Sequence, residues 1–229
     1  MSFALPQLLS SIVLCIVSLT ASDQAINKAR DQDSGAQSIN QHRMNYLQLV
    51  QRARRGDQSV NYVQMRAEHN EWMLADKYSF KTPGMDAVTE AYKKKDYKRF
   101  VELAETVFDY EFTNRSLHLA AEDAYRKLSN KGKADFHHGV AEKLLQALFG
   151  AGDGRSVETA YCVLSIDEEY LIMRELGYTV LSQAFITASE SNYDMLSGRH
   201  KKTGKRAKVY FDISGYYSRC VENLKKRQK

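Results

Sequence analysis

Residues 86–149, DAVTEAYKKKDYKRFVELAETVFDYEFTNRSLHLAAEDAYRKLSNKGKADFHHGVAEKLLQALF, have the pattern of four consecutive amphipathic helices joined by short turns. An Ala-Tyr pair followed by a basic residue occurs twice, at Ala91-Tyr92-Lys93 and Ala124-Tyr125-Arg126, which are 33 residues apart. Periods of this size are typical of helix-turn-helix repeats. The stretch predicts a helical scaffold, and no catalytic or cofactor motif elsewhere in the sequence is as clear.

Small and aromatic residues recur along these helices at helical spacing. They include Tyr97, Phe100, Val101, Ala104, Val107 and Phe108, then Leu117, Ala120, Ala121, Ala124, Tyr125 and Leu128. The stretch resembles the tetratricopeptide repeat, and Tyr125, Ala134 and Ala141 match the positions that this repeat usually fills with Tyr, Ala and Ala. The resemblance implies stacked helical hairpins.

A third hairpin is predicted ahead of this stretch. Its first helix, over 41–55, has an apolar face formed by Tyr46, Leu49, Val50 and Ala53. Gly56 supplies a C-terminal stop. Asp57 or Ser59 is placed to cap a second helix toward Trp72, which we expect to be buried in the core.

Near the N-terminus, an uncharged apolar run extends from Leu8 to Ala21. It has about the length of a secretory h-region and is too short to span a bilayer as a helix. We predict a signal peptide over 1–21 and an exported protein, periplasmic or extracellular. An uncleaved anchor and a buried helix stay open as alternatives. Residues 22–40, rich in Asp, Gln and Ser, predict a flexible spacer.

After a glycine-rich linker at 150–156, the sequence changes to a strand-like pattern. It predicts a strand over Ala160 to Ile166 and a short helix from Glu168 to Leu176. Ser165 and Glu168 have the spacing of a capping box. The fold class is therefore α+β, with tetratricopeptide-like helical hairpins followed by a small antiparallel sheet with one helix.

The last predicted strand alternates in polarity. Val209, Phe211 and Ile213 are expected to face the helix, which leaves Tyr210 and Asp212 on the open face of the sheet. If the protein binds a partner through this sheet, Tyr210 and Asp212 are the candidate binding residues. The alternative is that they are ordinary solvated strand residues.

The chain as a whole is similar to an uncharacterised family of exported bacterial proteins, a domain of unknown function with a tetratricopeptide-like helical part. The resemblance spans residues 46–213. It rests on RARRGD at 52–57, DGRSVETAYCVLS at 153–165, DEEYLIMRELG at 167–177, YDML at 193–196 and VYFDI at 209–213. It implies no particular activity.

The net charge is +5, with basic runs RHKKTGKRAK at 199–208 and KKRQK at 225–229. Nucleic-acid binding is disfavoured because the first run lies on a predicted turn without interleaved aromatic residues. The expected partners are another protein or an anionic surface, and a membrane only through an uncleaved signal segment.

Three cysteines are present, and removal of the signal segment would leave Cys162 and Cys220. An even number of cysteines in an oxidising compartment allows a single bridge. Two buried, unpaired thiols are the other interpretation and the one we favour.

A metal site is conceivable where two predicted helices face each other. His118 and Glu122 are spaced i, i+4, as are His138 and Glu142, and helical bundles hold metals with such side chains. Structural roles for the four residues are the alternative. Apart from this candidate, the sequence indicates no cofactor.

Three other chemistries are weak in this sequence. Cys162 lies in an apolar run, where a thiol is usually inert. The segment from Gly198 to Gly204 lacks the spacing of a phosphate-binding loop. The acidic cluster at 167–169 is more typical of a helix start than of a carboxylate pair that cleaves glycosides.

The predicted organisation is a signal peptide over 1–21, a spacer over 22–40, a helical-repeat-like domain over 41–149, an α+β module over 156–214 and a basic tail over 215–229. The leading interpretation is an exported, noncatalytic protein-interaction or binding scaffold. The alternative is a metal- or carboxylate-dependent hydrolase, so whether the protein is an enzyme stays open.

Overall fold

The computed structural model describes residues 39–75, 82–150, 152–188 and 191–215. The described part contains helices α1 (39–54), α2 (Tyr62–Ala75), α3 (Met85–Lys93), α4 (Tyr97–Glu111), α5 (Arg115–Lys127), α6 (Lys131–Phe149) and α7 (Ile166–Glu175). Its strands are β1 (Tyr161–Cys162), β2 (Tyr178–Ala188), β3 (Ser191–His200) and β4 (Arg206–Asp212). The predicted signal peptide, nearly all of the predicted spacer and basic tail, and Cys220 lie outside the described residues.

The four helices predicted over 86–149 are present as α3 to α6. They share a core with the α1–α2 hairpin, in which the fully buried large side chains include Tyr46, Met65, Phe100 and Phe108. Trp72 is 5% exposed, as expected for a core residue. None of the helices within the described ranges is long and apolar enough to cross a membrane.

The start of α2 differs from the sequence-based expectation. Neither Asp57 nor Ser59 caps the helix; instead the Asn61 side chain accepts a hydrogen bond from the backbone N–H of Gln64 at 3.0 Å. Asp57 closes its own turn by accepting from the backbone N–H of Ser59 at 2.8 Å. Asp, Ser and Asn all favour such local bonds, so the composition did not distinguish the three positions.

The turns after α3 and α5 have the same geometry. Lys95 and Ser129 both take a left-handed backbone conformation with φ of 59°. The next residue in each case, Asp96 or Asn130, donates its N–H to the carbonyl of Ala91 or Tyr125 and then caps the following helix. These equivalent positions are 34 residues apart. The structural repeat is therefore one residue longer than the 33-residue spacing of the Ala-Tyr pairs.

Replacing Lys95 with glycine should raise the free energy of unfolding by about 0.5 to 1 kcal/mol, because glycine adopts positive φ without the clash of a Cβ atom. Chemical denaturation measures the effect. Lys94→Gly is the matched control, since Lys94 has φ of −76° and gains no such relief. Equal destabilisation by both substitutions would show that no strain is stored at Lys95.

The sheet has the strand order β1-β4-β3-β2. β2, β3 and β4 are antiparallel neighbours, whereas β1 pairs with β4 in parallel. The fold class is α+β, as predicted. Helix α7 packs on the sheet, and the end of α6 also contributes Leu148 to the core of the sheet. The strand predicted over Ala160 to Ile166 is reduced to two residues, because Ile166 already begins α7.

The two faces of β4 were assigned correctly. Val209, Phe211 and Ile213 are at most 5% exposed and share a second core with Ile172 and Met173 of α7. Tyr210 and Asp212 point to the other face and are partly exposed. YDML, which the sequence indicates only as a short run, lies within the ten-residue strand β3.

Candidate functional site

A cleft with a volume of about 920 Å³ lies between α7 and the helices that precede it. Its wall is formed by α2, the start of α3, the turn between α4 and α5, and the first two turns of α7. Three helices begin at this cleft, at Met85, Arg115 and Ile166. The cleft therefore combines exposed backbone ends with side chains from distant parts of the sequence.

One side of the cleft is built on a buried aromatic and polar stack. The Tyr46 ring lies on the His69 ring, with centroids 4.8 Å apart and planes at 20°. His69 Nδ1 is 2.6 Å from the hydroxyl of Thr113, and the backbone N–H of Phe112 donates to the Tyr46 hydroxyl oxygen at 2.9 Å. Burial raises the pKa of Tyr46 well above its ordinary value. These bonds fix the α4–α5 turn against α1 and α2.

Glu111 forms a second polar cluster in the wall. Thr82 donates its hydroxyl hydrogen to one carboxylate oxygen, and the side-chain amide of Asn114 donates to the other at 3.2 Å. Both oxygens of Glu111 are thus engaged within the protein. Such a carboxylate serves as a structural acceptor and is poorly placed to act as a catalytic base.

The third polar cluster joins α2 to α7. Arg66 forms a two-pronged ion pair with Glu168, with Nη1–Oε1 and Nη2–Oε2 distances of 2.5 and 2.9 Å. The same carboxylate accepts the backbone N–H of Leu164 at 2.7 Å. Arg66 is 6% exposed. Burial disfavours its charge, but the Glu168 carboxylate outweighs this effect and raises the pKa of Arg66.

This arrangement corrects the capping box expected at Ser165 and Glu168. Ser165 stands at the N-cap of α7, but its side chain makes no capping hydrogen bond. Glu168 reaches back one residue further, to the backbone of Leu164, because its carboxylate is held by Arg66.

The rim of the cleft is apolar and acidic. Ile166 is 53% exposed and Tyr170 is 46% exposed, both on α7. Asp167 lies between them and forms no ion pair with any residue that the structure describes. The basic residues of the lining, Arg115 and Arg174, are ion-paired with Glu142 at 3.4 Å and with Glu175 at 3.6 Å.

The four residues considered for a metal site make separate contacts. Glu122 and His138 are brought together, with an Nδ1–Oε2 distance of 3.1 Å, and Glu122 also binds Arg126. Glu142 pairs with Arg115 instead, and His118 lies in the core. Within the described ranges, no three His, Cys, Asp or Glu side chains are grouped as a metal ion requires.

His118 has an unexpected partner, the neighbouring His137. Their Nδ1 atoms are 2.9 Å apart, and His118 Nε2 is 2.9 Å from the carbonyl oxygen of Phe112. Because that carbonyl only accepts, His118 carries its proton on Nε2 and His137 donates from Nδ1. Burial lowers the pKa of both imidazoles, for His137 to about 4. The pair is a neutral element of the core.

Cys162 is a free, exposed cysteine, which corrects the expectation of a buried thiol. Its partner in β4 is Asp212, since the two residues are aligned in the parallel pair of strands. Partial enclosure of the sulfur and the nearby Asp212 carboxylate raise the pKa of Cys162. An activated nucleophile needs the opposite shift.

Tyr210 and Asp212 lie on the uncovered face of the sheet, as predicted. On β3 their register partners are Met195 and Tyr193, which are also partly exposed. None of these residues lines the cleft. Whether it binds a partner stays a prediction.

No local sequence pattern marks the residues of the cleft. They come from segments about 100 positions apart, and Arg66 and Glu168 are separated by 102 residues. The one local signal was the cluster of acids at 167–169, which we assigned to a helix start. All three acids lie in the first turn of α7, as expected for a helix start, and Glu168 in addition pairs with Arg66.

The curated proteins and the solved structures contain no match to this sequence. The family described as Domain of unknown function (DUF4919) matches residues 35–221, which include every described helix and strand. The chain therefore belongs to the DUF4919 family.

Proposed function

We infer that the protein is a noncatalytic binding module whose cleft takes an extended peptide segment carrying a basic side chain. The observation that carries this proposal is the composition of the cleft: Glu111, Thr113 and Glu168 in its wall are bonded within the protein, while its rim is apolar and acidic. A preformed cleft of several hundred Å³ with a few placed polar groups is the usual form of a binding site.

The apolar part of the rim would supply most of the affinity. Tyr170 and Ile166 are exposed on the same helix start, and Met73 and Met85 line the cleft opposite. Exposed aromatic side chains that become covered on binding commonly dominate the energy of an interface. Methionine side chains adapt to partners of different shape.

The charge of the rim selects the peptide. Asp167 presents a carboxylate beside Tyr170, whereas Arg115 and Arg174 are engaged by neighbouring acids. A lysine or arginine of the peptide fits Asp167, and a glutamate at the same place meets repulsion. Opposite charge at a rim contributes modest affinity but clear preference.

The test uses two fluorescent ten-residue peptides that differ only in a central Lys or Glu between leucines. The Lys peptide should bind more tightly, and amide shifts in NMR spectra should map to the start of α7. Tyr170→Ala should weaken binding about tenfold or more. Asp167→Asn should weaken it about threefold and remove the preference for Lys.

Two variants control for indirect effects. Tyr193→Ala removes a partly exposed tyrosine from the sheet face, and Glu158→Gln removes an exposed acid from a loop. Neither should change binding. Cleavage of either peptide by the protein, or shifts that map away from α7, would contradict the proposal. Export and a periplasmic or extracellular location stay predictions of the sequence.

A further inference from the structure

The tip of the β3–β4 hairpin carries a dense cluster of positive charge that the proposed function does not use. The cluster, which we call the basic tip, consists of Arg199, Lys201, Lys202, Lys205, Arg206 and Lys208, all exposed. No acidic residue occurs between 199 and 208, and the six charges exceed the net charge of +5 of the whole chain. None of them forms an ion pair with an acidic residue inside the described ranges.

The basic tip is held in a fixed conformation. His200 donates its N–H to Lys205 O at 2.8 Å, and Lys201 donates its own to Gly177 O at 2.8 Å. The Nδ1 atom of His200 accepts the backbone N–H groups of Lys202 and Thr203 at 3.3 and 3.2 Å. The lysines therefore project from an ordered turn.

The strands below the turn hold like charges against each other. Arg199 and Arg206 are directly opposite in the ladder between β3 and β4, and Lys208 follows on the same face. Like charges directly opposite in a sheet are destabilising. An anionic partner at this surface would remove the repulsion, which the described part of the chain leaves uncompensated.

The residues that border the basic tip favour one class of anionic partner over another. The basic tip is the exposed end of a hairpin, and the same sheet face continues from Lys208 to Tyr210, Met195 and Tyr193. A sheet face with tyrosines next to a lysine- and arginine-rich edge resembles the arrangement of residues at a membrane interface, where tyrosine lies at headgroup level. Single-stranded nucleic acid is instead bound in a groove that follows its backbone.

We propose that the basic tip docks the protein onto bilayer surfaces that carry anionic phospholipid headgroups. The association is peripheral and electrostatic, with Tyr210 and Tyr193 at the edge of the contact. It is independent of the peptide cleft, which lies on the opposite side of the sheet, where α7 packs.

The test is co-sedimentation of the full chain with vesicles of phosphatidylcholine alone and with about 30% phosphatidylglycerol, at about 0.1 M salt. Binding should rise with the anionic lipid and fall when salt is increased. The triple variant Lys201→Ser, Lys202→Ser, Lys205→Ser should bind the anionic vesicles about a hundredfold more weakly, since each cation near such a surface contributes about a factor of five. Vesicles of phosphatidylcholine alone measure any insertion of apolar segments.

The chain offers a matched control at 93–95, a run of three lysines at the end of α3. The variant Lys93→Ser, Lys94→Ser, Lys95→Ser has the same net charge as the tip variant, and Ser129 shows that serine accepts the left-handed conformation of position 95. Lys94 is already paired with Glu90 at 3.2 Å. This control should bind the anionic vesicles within about threefold of the unmodified chain.

Three results would overturn the proposal. The first is equal binding of both kinds of vesicle by the unmodified chain. The second is equal loss of binding in the two triple variants, which would indicate an effect of net charge alone. The third is a basic tip that retains heparin or single-stranded DNA but not anionic vesicles, which would assign the surface to a polyanionic chain.

Discussion

Replacement of Glu168 by alanine is expected to lower the free energy of unfolding by about 3 to 5 kcal/mol, measured by urea denaturation. The substitution removes both carboxylate oxygens from the Arg66 guanidinium, which is 6% exposed. The carbonyl oxygen of Cys162, at 3.3 Å, would then be its remaining bonded partner among the described residues. An uncompensated buried charge is the main cost, and the lost bond to Leu164 adds to it.

Two further variants separate the cost of the unpaired charge from the worth of the pair. The double substitution Arg66→Met, Glu168→Leu removes both charges and should recover at least half of the lost stability. Glu102→Ala breaks an exposed pair with Arg99, at 3.5 Å, and should change stability by less than about 0.5 kcal/mol. A Glu168→Ala effect as small as that of Glu102→Ala would show that α7 is not held to α2 by this contact.

The parts of the fold that the sequence predicted are those with strong local patterns. β4 alternates strictly, and its Val209 and Phe211 are buried in the core that they share with α7. Four helices over 86–149 follow from repeated apolar stripes, and each of the last three begins at an Asp or Asn whose side chain caps it. In these segments the local and tertiary preferences agree.

The sheet edge and β3 were harder to predict. β3, SNYDMLSGRH, lacks a regular apolar pattern, because it is central and gains its order from pairing on both sides. Its buried positions include Asp194 and Gly198, which hydrophobicity does not mark. Gly198 fits there because a Cβ atom would lie 2.9 Å from the Cβ of Tyr178, in addition to 2.6 Å from the end of the flexible Met173 side chain.

The repeat and the cleft show two limits of sequence patterns. The conspicuous Ala-Tyr pairs are 33 residues apart. The hydrogen bonds of the two turns, however, make Ala91 equivalent to Tyr125, which is 34 residues further along the chain. The repeated residue pairs therefore give a less accurate repeat length than the turns that follow α3 and α5. The cleft depends on long-range pairs such as His69 with Thr113, which no local periodicity reports.

The buried pair of His118 and His137 should make the protein sensitive to mild acid. A proton added to His118 Nδ1 would meet the N–H of His137, and His137 Nε2 has no acceptor for a new hydrogen among the described residues. The charged groups closest in effect to His137 are Glu105 on α4, which favours its protonation, and Lys133 on α6 and Arg54 on α1, which oppose it. Burial is the largest cause of the lowered pKa.

The free energy of unfolding should fall toward low pH, because the unfolded chain takes up protons that the folded protein does not. Both folded-state pKa values lie below the ordinary value of 6.5. Below about pH 6.5 the unfolded chain therefore binds more protons than the folded protein does. The stability from the neutral pair is complete above that pH and is lost as the pH falls to about 4, the folded-state pKa of His137. From His137 alone we expect a loss of about 3 kcal/mol, and His118 adds to it.

Urea denaturation at intervals from about pH 7.5 to 4 measures this loss, and adjacent histidines supply the control. His137→Phe preserves the ring that stacks on Phe108 and Tyr125, so it should cost stability at neutral pH but flatten the pH dependence. His138→Gln alters an exposed ring, whose side chain is 54% accessible, and should leave the slope unchanged. If His138→Gln flattened the curve and His137→Phe did not, the acid sensitivity would belong to the surface pair with Glu122, and the pKa of His137 would be the same in the folded and unfolded chains.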